Sequence, residues 1–155
     1  MTTPDNDAVA KPLARYAPFR RAGDLVFFAG IIAVNPETGK VIESYTDLPE
    51  EMRAPAGETG EISVDTQDGP IAAQSWYVMD SLRRTVATAG GTLDDVVNLT
   101  QYFTDLRDFP VYNRVRGEFF AVPPASTCVR VVGLLPTTAA RLEVQATAYI
   151  PQRDV

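Results

Sequence analysis

The sequence predicts an α+β domain in which two helices cover one face of a mostly antiparallel sheet. Three observations carry this. Apolar and polar residues alternate strictly from Arg141 to Ile150, a helical rhythm runs from Ala72 to Val86, and strand-like and helix-like segments follow in the order β-β-(β)-α-β-α-β-β. A chain of 155 residues with 45% hydrophobic residues is long enough to build its own core, so 1–155 is read as a single domain.

The elements follow in chain order. Residues 1–14 read as a polar N-terminal tail, because Thr2 to Lys11 lacks the apolar run of a leader or spanning helix, and the expectation is a cytoplasmic chain without a membrane partner. Leu25 to Ala29, behind Gly23-Asp24, and Gly30 to Val34 read as two strand segments closed by the turn Asn35-Pro36-Glu37-Thr38-Gly39. Residues 43–69 are acidic, turn-forming and sparsely apolar, which predicts a long inserted loop.

Ala72, Trp76, Met79, Arg83 and Val86 share a helical face between the start signal Asp68-Gly69-Pro70 and the stop Gly90-Gly91. Thr92 and Asp95 have capping-box spacing, and the strand that follows, Val96 to Phe103, is expected to place Val97, Leu99 and Phe103 on one side. Asp108 with Pro110 opens a second helix carrying Val111, Val115 and Phe119 on one face; it stops before Pro123-Pro124. Thr127 to Val132 is strand-like. In the last strand Leu142, Val144, Ala146, Ala148 and Ile150 face the core, while Arg141, Glu143, Gln145, Thr147 and Tyr149 form a polar face that a symmetry mate could cover.

The charge balance is acidic, 20 Asp+Glu against 14 Lys+Arg, and histidine is absent. Imidazole-dependent triads and His-ligated metal sites therefore lack their central part, and one cysteine makes neither an internal disulfide nor a thiolate cluster. The negative balance disfavours nucleic acid as a partner. The segment ending Thr38-Gly39-Lys40 has the wrong spacing for a phosphate loop, and Asn98-Leu99-Thr100 lies in a predicted strand.

Four features invite chemistry. Cys128 in an apolar strand reads as a packed thiol or a nucleophile. Arg107, Arg114 and Arg116, and likewise Arg20 and Arg21, read as solvated clusters. Glu143, on the polar face, reads either as half of a weak surface ion pair with Arg141 or as a carboxylate that handles water or a proton.

Several segments together resemble the RidA (YjgF) family of reactive-intermediate enamine/imine deaminases. They are Gly23 to Gly30, Asn35 to Gly39, Gly91 to Val97, Tyr102 to Phe109, Asn113, Phe119-Phe120, Pro124 to Val129, Leu135-Pro136 and Leu142-Glu143-Val144, in order over nearly the whole chain. The resemblance implies a chorismate-mutase-like fold assembled as a homotrimer, with substrate clefts between subunits and no metal, nucleotide or organic cofactor. Carried over position by position, it implies a catalytic Glu143 and substrate-binding Tyr16, Gly30, Asn113 and Cys128.

One position departs from the family pattern. Ser126 stands where the family has an arginine that grips a substrate carboxylate, a bidentate contact that a hydroxyl cannot make. Arg130 is on the same strand face but roughly 13 Å away at about 3.3 Å per residue. Arg15, Arg20, Arg21 and Arg53 are the replacements considered, the last on a 43–69 loop that would act as a lid. The resemblance thus implies a hydrolytic deaminase of a small reactive enamine or imine, with an aminomuconate-type intermediate as one candidate. The alternative is a non-catalytic small-ligand-binding or stress-related trimer of the same fold. Endoribonuclease activity, also attached to the family, fits poorly with an acidic chain lacking histidine.

Overall fold

A computed structural model describes residues 12–154, so most of the polar tail expected over 1–14 lies outside the described residues. The first hairpin pairs β1 (Phe19–Ala22) with β2 (Leu25–Phe28), and its turn uses Gly23 at φ 61°, a conformation glycine adopts without steric cost. β2 and the short β3 (Ile31–Ile32) both run antiparallel to the last strand, β6 (Leu142–Tyr149). On the other side of β6 lies β4 (Val96–Phe103), antiparallel, and then β5 (Ala125–Arg130), parallel to β4, at the edge. The sheet is mostly antiparallel, as expected.

The alternation in β6 is realised residue by residue. Leu142, Val144, Ala146 and Ala148 are fully buried under the helices, while Glu143, Gln145, Thr147 and Tyr149 lie on the open face. In β4 the expected phase is corrected. A bulge between Val96 and Asn98 turns Val97 outward, and the core face is made by Val96, Leu99, Gln101 and Phe103.

Three helices cover the sheet, not two: α1 (Glu50–Ala56), α2 (Ile62–Thr88) and α3 (Phe109–Gly117). The long loop expected over 43–69 is therefore corrected. Tyr45, Leu48 and Ala56 are buried in the main core, which makes this segment part of the packing and not a lid. Arg53 donates to the carbonyls of Leu48 and Thr46, closing the segment on itself.

The start of α2 is also corrected, from Asp68-Gly69-Pro70 to Ile62. Its first turns are solvent-facing and carry no apolar stripe, so periodicity detects only the part that meets the core. The Asp65 carboxylate fixes the entry by accepting from the backbone N–H groups of Thr59 and Gly60 and from the Thr59 hydroxyl, which holds its carboxyl below the usual range. Gly69 then lets the helix pass against the ring of Tyr45, where an added Cβ would lie 3.3 Å from Cδ2.

Two polar ties fix the start of β6. Gln74 of α2 donates to the carbonyl of Ala139 and accepts from the backbone N–H of Arg141. The Arg141 guanidinium grips the buried Asp108 at the start of α3 through Nε and Nη2, at 2.9 and 2.6 Å. No described helix is long and apolar enough to cross a membrane.

Candidate functional site

Glu143 sits in the middle of β6, opposite Ile32 of β3 and Tyr102 of β4. The ion pair between Glu143 and Arg141 does not form, because Arg141 is committed to Asp108. The Glu143 carboxylate has no hydrogen bond or ion pair among the described residues, and it is half-buried. Loss of solvation alone pushes its carboxyl above the usual carboxylate range.

Gly30, just past β2, is where backbone meets this carboxylate. A side chain there would meet Oε1 of Glu143 and push the carboxylate aside, so glycine matters here for the space it leaves and not for an unusual φ. Glu143 and Gly30 line an open pocket of about 420 Å³ together with Tyr16, Ile32, Leu135 and Pro136. A further hollow of about 300 Å³ shares Gly30 and Glu143 and adds Tyr102, Leu134 and Gln145. Tyr16, Gly30 and Glu143 are thus brought together around one pocket.

Asn113, Ser126 and Cys128 form a second group elsewhere on the chain. Its organiser is Gln101, which the sequence reading passed over. Gln101 is fully buried on the core face of β4, opposite Cys128 of β5. Its Nε2 donates to Ser126 Oγ and to the Thr127 carbonyl, both at 3.0 Å. Its Oε1 accepts from the Tyr112 hydroxyl and from Arg116 Nη1, both at 2.7 Å.

Arg116 is corrected from a solvated helix cation to the centre of this group. Nη1 also donates to Ser126 Oγ at 2.9 Å, Nη2 donates to Asn113 Oδ1 at 2.7 Å, and the guanidinium lies 5.4 and 5.8 Å from the ring centroids of Tyr112 and Phe109. The other members of its cluster do different work. Arg107 pairs with Asp105 on the surface, and Arg114 lies against Gly57, with its charge near Tyr45. Arg21 donates to the carbonyls of Ile150 and Ala89, a structural tie.

Cys128 packs against the main core, and burial pushes its thiol up despite the nearby Arg116 charge. A thiol held protonated is a packing residue and a poor nucleophile.

The two groups lie on opposite faces of one sheet. Ser126 and Cys128 are on the side of the helices, in line with Leu99 and Gln101, whereas Glu143 is on the open face, in line with Tyr102. The described residues therefore offer a carboxylate unpaired among them, beside a pocket on one face, and a fixed guanidinium on the other.

A single mixed sheet under three helices, bearing these groups, defines a small α+β protein with small-molecule-sized surface pockets. The family model described as endoribonuclease L-PSP matches residues 52–150, and the chain belongs to that family, the RidA (YjgF) family. It is similar to a solved structure from Klebsiella pneumoniae that carries an endoribonuclease name, at 51% identity and a TM-score of 0.84, covering 88% of this chain and 100% of that one. It is similar to RidA from an Antarctic Psychrobacter, at 25% identity and a TM-score of 0.69, covering 97% and 100%. Among curated relatives it resembles the 3-aminoacrylate deaminase RutC of Acinetobacter baylyi, 28% identical over 140 residues that span 90% of each chain.

Proposed function

We propose that the chain is a hydrolytic deaminase of small reactive enamines and imines. The observation that carries this reading is Glu143, a half-buried carboxylate without a cation partner among the described residues, facing a pocket whose wall at Gly30 is bare backbone. The deaminase name of a relative that spans nine-tenths of the chain supports it.

In this reading an enamine reaches the site as its imine tautomer, R₂C=NH. Glu143 accepts a proton from a water as the water oxygen bonds to the imine carbon and returns it to the nitrogen, giving the neutral carbinolamine R₂C(OH)NH₂. The carboxylate then takes the hydroxyl proton and passes it to nitrogen as the C–N bond breaks and C=O forms, so ketone and ammonia leave and one water is consumed per ammonia released. A carboxyl raised by desolvation is better matched to both proton transfers than an ordinary surface carboxylate. The imine carbon is already electrophilic, so positioning and proton transfer supply the catalysis.

The substrate cleft is proposed to form between copies of the chain. The Glu143 pocket of one copy would face the Asn113, Ser126 and Cys128 group of the next, and a closed ring of three leaves no copy with an unmatched half. Partner coverage would also account for the exposed apolar residues on the outer surface, such as Phe27 and Val129. The deciding experiment is ammonia release from a freshly generated imine by wild type and Glu143→Gln. Loss of turnover with retained product binding supports the reading. A chain that binds but accelerates nothing is the non-catalytic trimer instead.

A further inference from the structure

We propose that Arg116 is the anion anchor of this site and that it binds the carboxylate of a substrate. The inference rests on the deaminase reading only for what happens after binding.

The described arginines that meet a carboxylate are Arg83 and Arg84 on Asp80, Arg107 on Asp105 and Arg141 on Asp108. Arg116 is half-buried and meets no acidic side chain among the described residues. It is held instead by three neutral oxygens, Gln101 Oε1, Ser126 Oγ and Asn113 Oδ1, and stacked on two aromatic rings. A guanidinium fixed in this way keeps its charge uncompensated and its orientation set before a ligand arrives, so little side-chain entropy is lost on binding.

The bonding count names the ligand. Three of its five N–H groups are used, two from Nη1 and one from Nη2, which leaves Nε–H and one Nη2–H. Nε and Nη2 are the atoms through which Arg107 holds Asp105 and Arg141 holds Asp108. Two such donors suit one planar carboxylate, gripped bidentately.

Ser126 acquires a role from this arrangement. Its short side chain leaves room for the guanidinium arriving from α3, and its hydroxyl is one of the three acceptors that hold it. The cation at this spot comes from the helix and not from the strand. The substrate class narrows to enamines and imines bearing a carboxylate, whose hydrolysis next to that group would give a 2-oxo acid.

The test is calorimetric titration of the full chain with pyruvate, with its uncharged amide pyruvamide and with inorganic phosphate. Wild type is expected to bind pyruvate in preference to both. Arg116→Met is expected to weaken pyruvate at least tenfold while leaving pyruvamide unchanged, and Arg116→Lys, which keeps the charge but loses the fork, to fall between. Arg116→Lys carries the test if Arg116→Met fails to fold. Absence of pyruvate binding to wild type, equal binding of pyruvamide or phosphate, or full pyruvate affinity in the variants would overturn the proposal. The deaminase reading fails separately: Glu143→Gln that still releases ammonia at the wild-type rate removes it and leaves the anchor standing.

Discussion

Nη1 of Arg116 lies 2.9 Å from Oγ of Ser126, so a cation from α3 reaches the strand position from which the family pattern leads one to expect a cation. Both groups hang on Gln101, whose amide makes contacts with Tyr112, Arg116, Ser126 and Thr127 from inside the core. Gln101→Leu removes all of them and leaves the buried Tyr112 hydroxyl without an acceptor. The expected loss is about 2 kcal/mol of stability, read from urea unfolding. Stability within experimental error of wild type would show that the network contributes nothing.

Glu143 links stability to pH. Burial raises its carboxyl, so between the unfolded and folded pKa values the folded chain holds a proton that the unfolded chain has released. Folding stability contributed by this group is therefore full below the unfolded value and falls as pH rises through the folded one. Glu143→Gln should be more thermostable than wild type at pH 7, and the difference should vanish once the pH falls below the ordinary carboxylate range. Equal melting temperatures at both pH values would contradict the desolvated placement.

At Gly30 the expectation is catalytic and not structural. Gly30→Ala has an allowed backbone but places a methyl group where Oε1 of Glu143 lies. A carboxylate displaced by about 1 Å is expected to lose on the order of 100-fold in turnover. Circular dichroism and melting temperature should stay near wild type. Full activity would mean that the Glu143 carboxylate is not used in the position seen.

The placement of Glu143 and Arg116 on opposite faces predicts complementation. Glu143→Gln and Arg116→Met chains, each inactive alone, should recover activity when mixed through unfolding and refolding. With equal amounts and random assembly, about one cleft in four combines the intact halves. Failure to exceed the sum of the separate variants would argue against a cleft built from two copies.

Much of the fold was legible. The alternation in β6 sets the face of Glu143, because each position on a half-buried strand has one of two directions. The first turns of α2 were not legible, since exposed residues carry no hydrophobic period and Gly69-Pro70 mimics a helix start. The bulge at Val97 was likewise hidden, as one extra residue shifts the phase without changing composition. At the site, Tyr16, Gly30 and Glu143 were singled out by resemblance, and they line one pocket. Arg116 was missed because a helix cation near two others reads as solvated. The available signal was Gln101, a polar residue at a core position between Leu99 and Phe103, which had to find buried partners.

The most direct test of the account is ammonia release from freshly generated 2-aminoacrylate and 2-aminomuconate, each with wild type and Glu143→Gln. The account predicts that wild type accelerates release from at least one of these carboxylate-bearing substrates, that Glu143→Gln loses this at least 100-fold, in line with the roughly 10²–10⁴-fold worth of a positioned general base, and that pyruvate still binds the variant. Release at the buffer rate with wild type on both substrates, or unchanged release with Glu143→Gln, would contradict it.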